Sequence, residues 1–201
     1  MTTDHENPES DRPRPITRFL QIPKIFHSVE KDMPFRHCIQ CNADLLASNR
    51  LYVIEKVYRR ADVIIELAMC LDCREGQSEE GISEASAAVM QEFVDDRIDF
   101  HQRLELMSQV NEVDSVDPWL ERCLLSDQPS QIFNEYQIVA LCRGPYIQRD
   151  FYPALISGPA VEALSDLLSD ETRDWMDDFI GSNFGMPSEF CDTPKFSPVL
   201  M

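Results

Sequence analysis

The sequence predicts an α+β fold built from two units, each a β-hairpin followed by helical structure. Two runs rich in β-branched and aromatic residues, 52–58 and 63–69, are separated by a four-residue polar connection, a pattern typical of a hairpin. Apolar residues then recur at close to 3.6-residue spacing over 82–107. That period predicts one long helix, which packs with the hairpin as the first unit.

A second hairpin and two further helices are predicted later in the chain. Strand-like runs at 136–142 and 151–157 flank a Gly-Pro pair, which favours a turn. Pro159 suits the first turn of a helix, and Ser169 suits the N-cap of another. Gly185 suits the end of that second helix. The second unit is therefore a hairpin followed by two helices.

These patterns divide the chain into four segments. Residues 1–17 are polar and contain three prolines, which predicts a disordered N-terminal arm. The first unit spans 18–110 and the second spans 118–187. We expect residues 188–201 to be an extended C-terminal tail.

The composition excludes a membrane-spanning protein. The longest apolar runs fall far short of the roughly 20 residues that a transmembrane helix requires. The N-terminus carries acidic residues and prolines, where a secretory signal would be basic and then apolar. We therefore expect a cytoplasmic location, where paired cysteines are metal ligands or reactive thiols more often than disulfides.

Two Cys-x-x-Cys pairs flank the first predicted hairpin. Cys38 and Cys41 precede it, while Cys70 and Cys73 follow it. Because a hairpin folds back on itself, it returns residue 70 to the neighbourhood of residue 41. Four converging thiolates are a ligand set that Zn²⁺ binds in tetrahedral geometry. The spacing therefore predicts one structural Zn²⁺ held by these four cysteines.

Residues 36–107 resemble the zinc-ribbon and treble-clef group of zinc folds. In both, a cysteine loop precedes a hairpin and a second ligand pair follows it. The segment "CLDCREGQ" before a predicted helix fits the treble clef better, since treble clefs carry the second pair at a helix start. The resemblance implies a fold and a structural metal, and it implies no particular activity.

The ligand set points to a non-catalytic protein. A closed four-thiolate site has no open position for water or substrate, and the sequence contains no phosphate-binding loop or nucleophile motif. We therefore expect a protein-interaction or regulatory module that binds a protein partner or a second copy of itself. A thiol redox protein that uses the Cys-x-x-Cys pairs is a less favoured hypothesis.

Charge supplies the alternative hypothesis, a nucleic-acid-binding or transcription-associated factor. The net charge is −18, yet residues 1–60 hold ten Lys and Arg against eight Asp and Glu. Only this N-terminal third of the chain could attract a phosphate backbone, and the acidic charge of the remaining residues disfavours nucleic-acid binding. Its candidate surface, for nucleic acid or another partner, consists of Arg36, Arg50, Lys56, Arg59 and Arg60.

A weak internal repeat relates the two units. An alignment with two gaps places Cys38 on Cys123 and Cys41 on Ser126. The same alignment places Cys70 on Gly158 and Cys73 on Val161. If the repeat is real, the second unit kept the scaffold and lost three of four ligands, so we expect it to be metal-free.

Overall fold

A computed structural model describes residues 19–109, 115–149 and 151–185. The predicted N-terminal arm, 1–17, and the predicted tail, 188–201, lie outside the described residues, as does Cys191. The described fold is α+β, with one antiparallel six-stranded sheet and six α-helices. The strands are β1 Phe19–Gln21, β2 Leu51–Arg59, β3 Asp62–Cys70, β4 Glu135–Arg143, β5 Tyr146–Gln148 and β6 Ala154–Ser157; the helices are α1 Leu71–Gly81, α2 Glu84–Asp95, α3 Phe100–Gln109, α4 Asp117–Leu120, α5 Gly158–Ser165 and α6 Asp170–Phe184.

The centre of the sheet is the pair formed by β2 and β4. These strands run antiparallel and pair along their full length, from Leu51 with Arg143 to Arg59 with Glu135. The strand order is β1-β5-β4-β2-β3. Along the same edge of β4, β5 pairs with residues 142–143 and β6 pairs with residues 136–139. Strands from both predicted units therefore lie in one sheet.

The first predicted hairpin is confirmed, with longer strands and a tighter turn. Strands β2 and β3 are nine residues each, and only Arg60 and Ala61 connect them. Arg60 has φ 59°, the left-handed conformation that two-residue hairpin turns require. The second predicted hairpin is confirmed in part, because its returning strand is split into β5 and β6.

The single long helix predicted over 82–107 is wrong. The segment contains α2 and α3, separated by residues 96–99. The side chain of Asp99 accepts a hydrogen bond from the backbone N–H of Gln102 at 2.9 Å, which satisfies a free donor at the start of α3. The buried Ile98 lies in the break. Phe93 and Phe100 flank it at a separation of two helical turns, and that spacing led to the prediction.

Helix α1 occupies a stretch that the apolar pattern did not mark as helical. Most of its residues are polar, so it lacks the apolar face that marks an amphipathic helix in a sequence. The later caps were predicted correctly. Ser169 accepts from the N–H of Thr172, and Gly185 ends α6 with φ 63°.

Different parts of the chain cover the two faces of the sheet. Lys56 donates to the carbonyl of His27 at 2.5 Å, so the segment before the cysteines lies on one face. Its neighbour Glu55 points to the opposite face and pairs with Arg74 of α1. Among the described helices, none has the length and apolar character needed to cross a bilayer.

Candidate metal centre

Cys38 and Cys41 lie on a tight loop that precedes β2. An antiparallel bridge joins His37 and Asp44 at the ends of this loop. Within it, the N–H of Cys38 donates to the carbonyl of Ala43 at 3.0 Å, and the carbonyl of Cys38 accepts from Asn42 at 3.0 Å. Asn42 has φ 58°, a conformation that Asn tolerates better than most residues. These bonds fix the two cysteines on one small turn, here called the first knuckle, residues 37–44.

Cys70 and Cys73 lie where β3 passes into α1. Cys70 is the last residue of β3 and the N-cap of the helix, and Cys73 is in the first helical turn. The first knuckle is attached to the same strand, since Ile39 donates to the carbonyl of Ala68 at 2.9 Å. The hairpin therefore brings the second pair back to the first, as the sequence predicted.

The four sulfur atoms form one cluster. Each Sγ lies within 4.8 Å of the other three, and the Sγ atoms of Cys41 and Cys70 are 3.8 Å apart. In a tetrahedron with metal–sulfur bonds of about 2.3 Å, neighbouring sulfurs are about 3.8 Å apart. The arrangement is therefore able to hold one metal ion with four sulfur ligands. Within the described ranges it is the one group of His, Cys, Asp and Glu side chains found close enough together to do so.

The electrostatics of the cluster favour a cation. Burial opposes ionisation of Cys38, but N–H donors of Cys41, Cys70 and Gln40 outweigh it and lower the pKa of this thiol to about 7. Burial raises the pKa of Cys70. Burial and the neighbouring thiols raise the pKa of Cys73. Several thiolates crowded together repel one another, and a bound cation offsets that repulsion.

The residues just beyond the cluster connect it to the core. Arg74 follows Cys73 directly and donates to the buried carboxylate of Glu55 at 2.5 Å. Both line a small, partly open cavity of about 20 Å³, bounded also by Trp175 and Phe179. The sequence reasoning missed this pair, although a Glu inside the apolar strand "YVIEKVY" was a signal that a buried cation lies nearby.

Most of the predicted basic surface is neutralised by ion pairs. Lys56 is 3% exposed and pairs with Glu66 at 3.3 Å, so its charge is inside the protein. Three arginines also have carboxylate partners: Arg36 with Asp44, Arg50 with Asp72, and Arg59 with Glu135. Arg60 lies exposed at the hairpin turn.

Comparison with known proteins gives no relative from which a role could be transferred. No family model matches the chain, and no curated protein or solved structure matches it either.

Proposed function

We propose that this protein is a non-catalytic protein-interaction or regulatory module whose fold is stabilised by one structural Zn²⁺. The observation that carries the proposal is the set of four sulfur atoms within 4.8 Å of one another, supplied by Cys38, Cys41, Cys70 and Cys73. Four cysteine ligands fill the coordination of Zn²⁺ and leave no position for a reacting water.

The placement of the ligands supports a structural role. Two come from the first knuckle and two from the junction of β3 and α1, so one ion would join the loop, the strand and the helix. Helix α1 has little apolar surface of its own, and a metal at its first turn would fix it against the sheet. A loop, a hairpin and a helix bearing the second ligand pair is the order expected of a treble clef.

An exposed apolar surface near the sheet supports the interaction role. Ile25, Val29 and Met33 are 40%, 63% and 58% exposed. They lie close together in sequence on the segment that covers one face of the sheet. This segment is held in place, because the Glu66 carboxylate accepts hydrogen bonds from Ser28 and from the N–H of Val29. Apolar side chains on a fixed backbone are well suited to contact a protein partner or a second copy.

The geometry gives the two alternative hypotheses less support. Ion pairs hold four of the five basic residues proposed for nucleic acid, which weakens the attraction that phosphate binding requires. A reactive Cys-x-x-Cys pair typically opens a helix and has a lowered thiol pKa. The pair at the start of α1, Cys70 and Cys73, has raised thiol pKa values, and the one lowered thiol pKa in the cluster, that of Cys38, belongs to the first knuckle, which precedes a strand.

The metal part of the proposal is tested by elemental analysis of the purified protein. We expect one Zn²⁺ per chain in the wild type and none in Cys41→Ser. Cys142→Ala is the matched control, because Cys142 is a buried thiol in the central strand pair and lies outside the cluster. A folded wild-type protein that binds no metal after incubation with Zn²⁺ would contradict the proposal.

The interaction part is tested separately by substituting the exposed apolar residues. We expect Val29→Ser with Met33→Ser to abolish self-association, measured by sedimentation, or to abolish binding of partners identified with the wild-type protein. Ile132→Ser with Leu167→Ser is the control, since these side chains are 61% and 54% exposed elsewhere on the surface. Equal loss in both double variants would show that the proposed surface is not specific.

A further inference from the structure

The second half of the chain contains a loop with the same backbone as the first knuckle. This loop, here called the second knuckle, comprises residues 122–129 and is closed by a bridge between Arg122 and Pro129. The N–H of Cys123 donates to the carbonyl of Gln128 at 2.9 Å, and the carbonyl of Cys123 accepts from Asp127 at 2.9 Å. Asp127 has φ 51°. Each of these features occupies the position of its counterpart in the first knuckle, including the left-handed residue that follows the second ligand position.

The second knuckle also contacts its own hairpin in the same way. Leu124 donates to the carbonyl of Leu155 at 2.7 Å, as Ile39 does to Ala68. The N–H of Ser157 approaches the Cys123 Sγ at 3.3 Å; the corresponding distance from the N–H of Cys70 to the Cys38 Sγ is 3.5 Å. Ser157 is the N-cap of α5, just as Cys70 is the N-cap of α1.

These contacts correct the sequence alignment by one residue. Cys70 corresponds to Ser157 and not to Gly158, and Cys73 corresponds to Ala160 and not to Val161. The sequence alignment had matched Leu67 with Leu155. The hydrogen bonds instead match Ala68 with Leu155, so the sequence alignment was shifted by one residue along the strand. The alignment of Cys41 with Ser126 is unchanged, since Cys41 precedes Asn42 and Ser126 precedes Asp127, the residue with positive φ in each knuckle.

The two halves meet about an approximate two-fold axis. In the central strand pair, Glu55 of β2 lies opposite Val139 of β4, at the midpoint of both strands. On the helical side, the N-caps of α2 and α6 meet, with the Oγ atoms of Ser83 and Ser169 at 3.0 Å. The N–H of Ser83 donates to Thr172, and the N–H of Ser169 donates to Ser86. Each cap segment therefore donates to the other in the same way. The symmetry includes the helix caps and the central strands as well as the knuckles.

We infer that positions 123, 126, 157 and 160 are a second metal site from which three of the four ligands are missing, and that restoring those three makes it bind Zn²⁺. The side chains of Cys123 and Ser157 already face each other, since the thiol donates to the serine hydroxyl at 3.3 Å. Cys123 and Ala160 are buried at 2% and 8% exposure, and Ser126 is exposed, as its counterpart Cys41 is in the first cluster. This inference rests on the proposed function only for the first site, since the native second site has one of four ligands and is expected to bind no metal.

The test is a count of bound metal in the triple variant Ser126→Cys, Ser157→Cys, Ala160→Cys. We expect one more equivalent of Zn²⁺ than the wild type binds, and Co²⁺ should add the thiolate charge-transfer absorbance of one four-cysteine site to the wild-type spectrum. Adding Cys123→Ser should remove the extra equivalent and leave the first site loaded. Because the result is a difference, it remains informative if the wild type binds no metal at all.

Folding of the variants is followed by circular dichroism after refolding with and without Zn²⁺. If the triple variant does not fold, a second variant transfers the first knuckle sequence 38–43 onto 123–128 and carries Ser157→Cys and Ala160→Cys. A folded variant with no added equivalent, and with the new thiols open to alkylation in the presence of Zn²⁺, overturns the inference. Failure of both variants to fold with metal present also overturns it.

Discussion

The Nη1 atom of Arg74 lies 2.5 Å from the Oε1 atom of Glu55, and both side chains are buried. Arg74 extends from the helical turn that carries Cys73, so this ion pair connects the cysteine cluster to the central strand β2. Removing one partner leaves an uncompensated charge inside the protein, which costs about 3–5 kcal/mol in other buried pairs.

We therefore predict that Glu55→Gln lowers the free energy of unfolding by about 3 kcal/mol or more. The double variant Glu55→Leu with Arg74→Met should be close to wild type, since it removes both charges. Urea unfolding measures the free energy of unfolding of the single and the double variant. Arg50→Met is the control, because Arg50 pairs with Asp72 at the exposed surface and such pairs contribute about 1 kcal/mol or less. Equal losses in Glu55→Gln and Arg50→Met would contradict the prediction.

Metal removal should destabilise the first half of the protein. With Zn²⁺ bound between the first knuckle and α1, its binding free energy adds to the folding free energy. We expect chelation, or Cys73→Ser, to lower the melting temperature by about 5–10 °C, corresponding to about 2–4 kcal/mol. Hydrogen exchange should locate the loosening in α1 and the first knuckle. An unchanged melting temperature in verified metal-free protein would show that the cluster has no structural role.

Two glycines of α1 should respond to alanine in opposite directions. A Cβ on Gly81 would lie 1.9 Å from the ring of Trp175, so the ring must move, and overpacking of this kind costs about 1–3 kcal/mol. A Cβ on Gly76 would meet nothing within 4 Å, and Gly to Ala inside a helix stabilises by up to about 1 kcal/mol. Thermal unfolding of Gly81→Ala and Gly76→Ala, compared with wild type, tests both signs. Stabilisation by Gly81→Ala would mean that Trp175 does not pack on this helix.

Alkaline pH should destabilise the fold through its buried tyrosines. Burial raises the pKa of Tyr58 and of Tyr152 to about 12, and it also raises the pKa of Tyr52 and Tyr136. An unfolded tyrosine ionises near pH 10. The unfolded state therefore loses these protons first, and stability present below pH 10 is lost as the pH rises from about 10 towards 12.

Tyrosinate absorbance and urea unfolding measured across this pH range test the prediction. Tyr152→Phe should flatten the pH dependence of stability, because Tyr152 is 7% exposed in the folded protein. Tyr146→Phe is the control, since Tyr146 is 43% exposed. Equal effects of the two substitutions on the pH dependence would contradict the assignment.

Local sequence signals identified the elements whose determinants are local. The first hairpin follows from its β-branched residues, and the ends of α6 follow from Ser169 and Gly185. Helix α1 escaped detection because it has no apolar face, and its position depends on Cys70 and on the burial of Arg74. The break between α2 and α3 was missed because Phe93 and Phe100, on either side of it, are two helical turns apart in sequence.

Long-range relationships were harder to obtain from the sequence. The cysteine spacing indicated the cluster, because a hairpin must return to its start. No local pattern indicated that β2 would pair with β4, or that the caps at Ser83 and Ser169 would meet. The repeat was detected from a few identities, but its register needed backbone hydrogen bonds, since Ser157 and Ala160 share no side-chain chemistry with the cysteines they correspond to.

The pairing of β2 with β4 has a consequence for synthesis on the ribosome. Leu51 and Arg143 are neighbours in the sheet but are far apart in the chain. When the first hairpin and its cysteines have been translated, the inner edge of β2 still presents free backbone donors and acceptors, and such edges promote association with other chains. The four cysteines of the candidate metal centre are translated early, whereas the sheet is completed only after the second half emerges. The nascent first half is therefore the stage at which this protein is most exposed to mispairing, including with the first half of another copy.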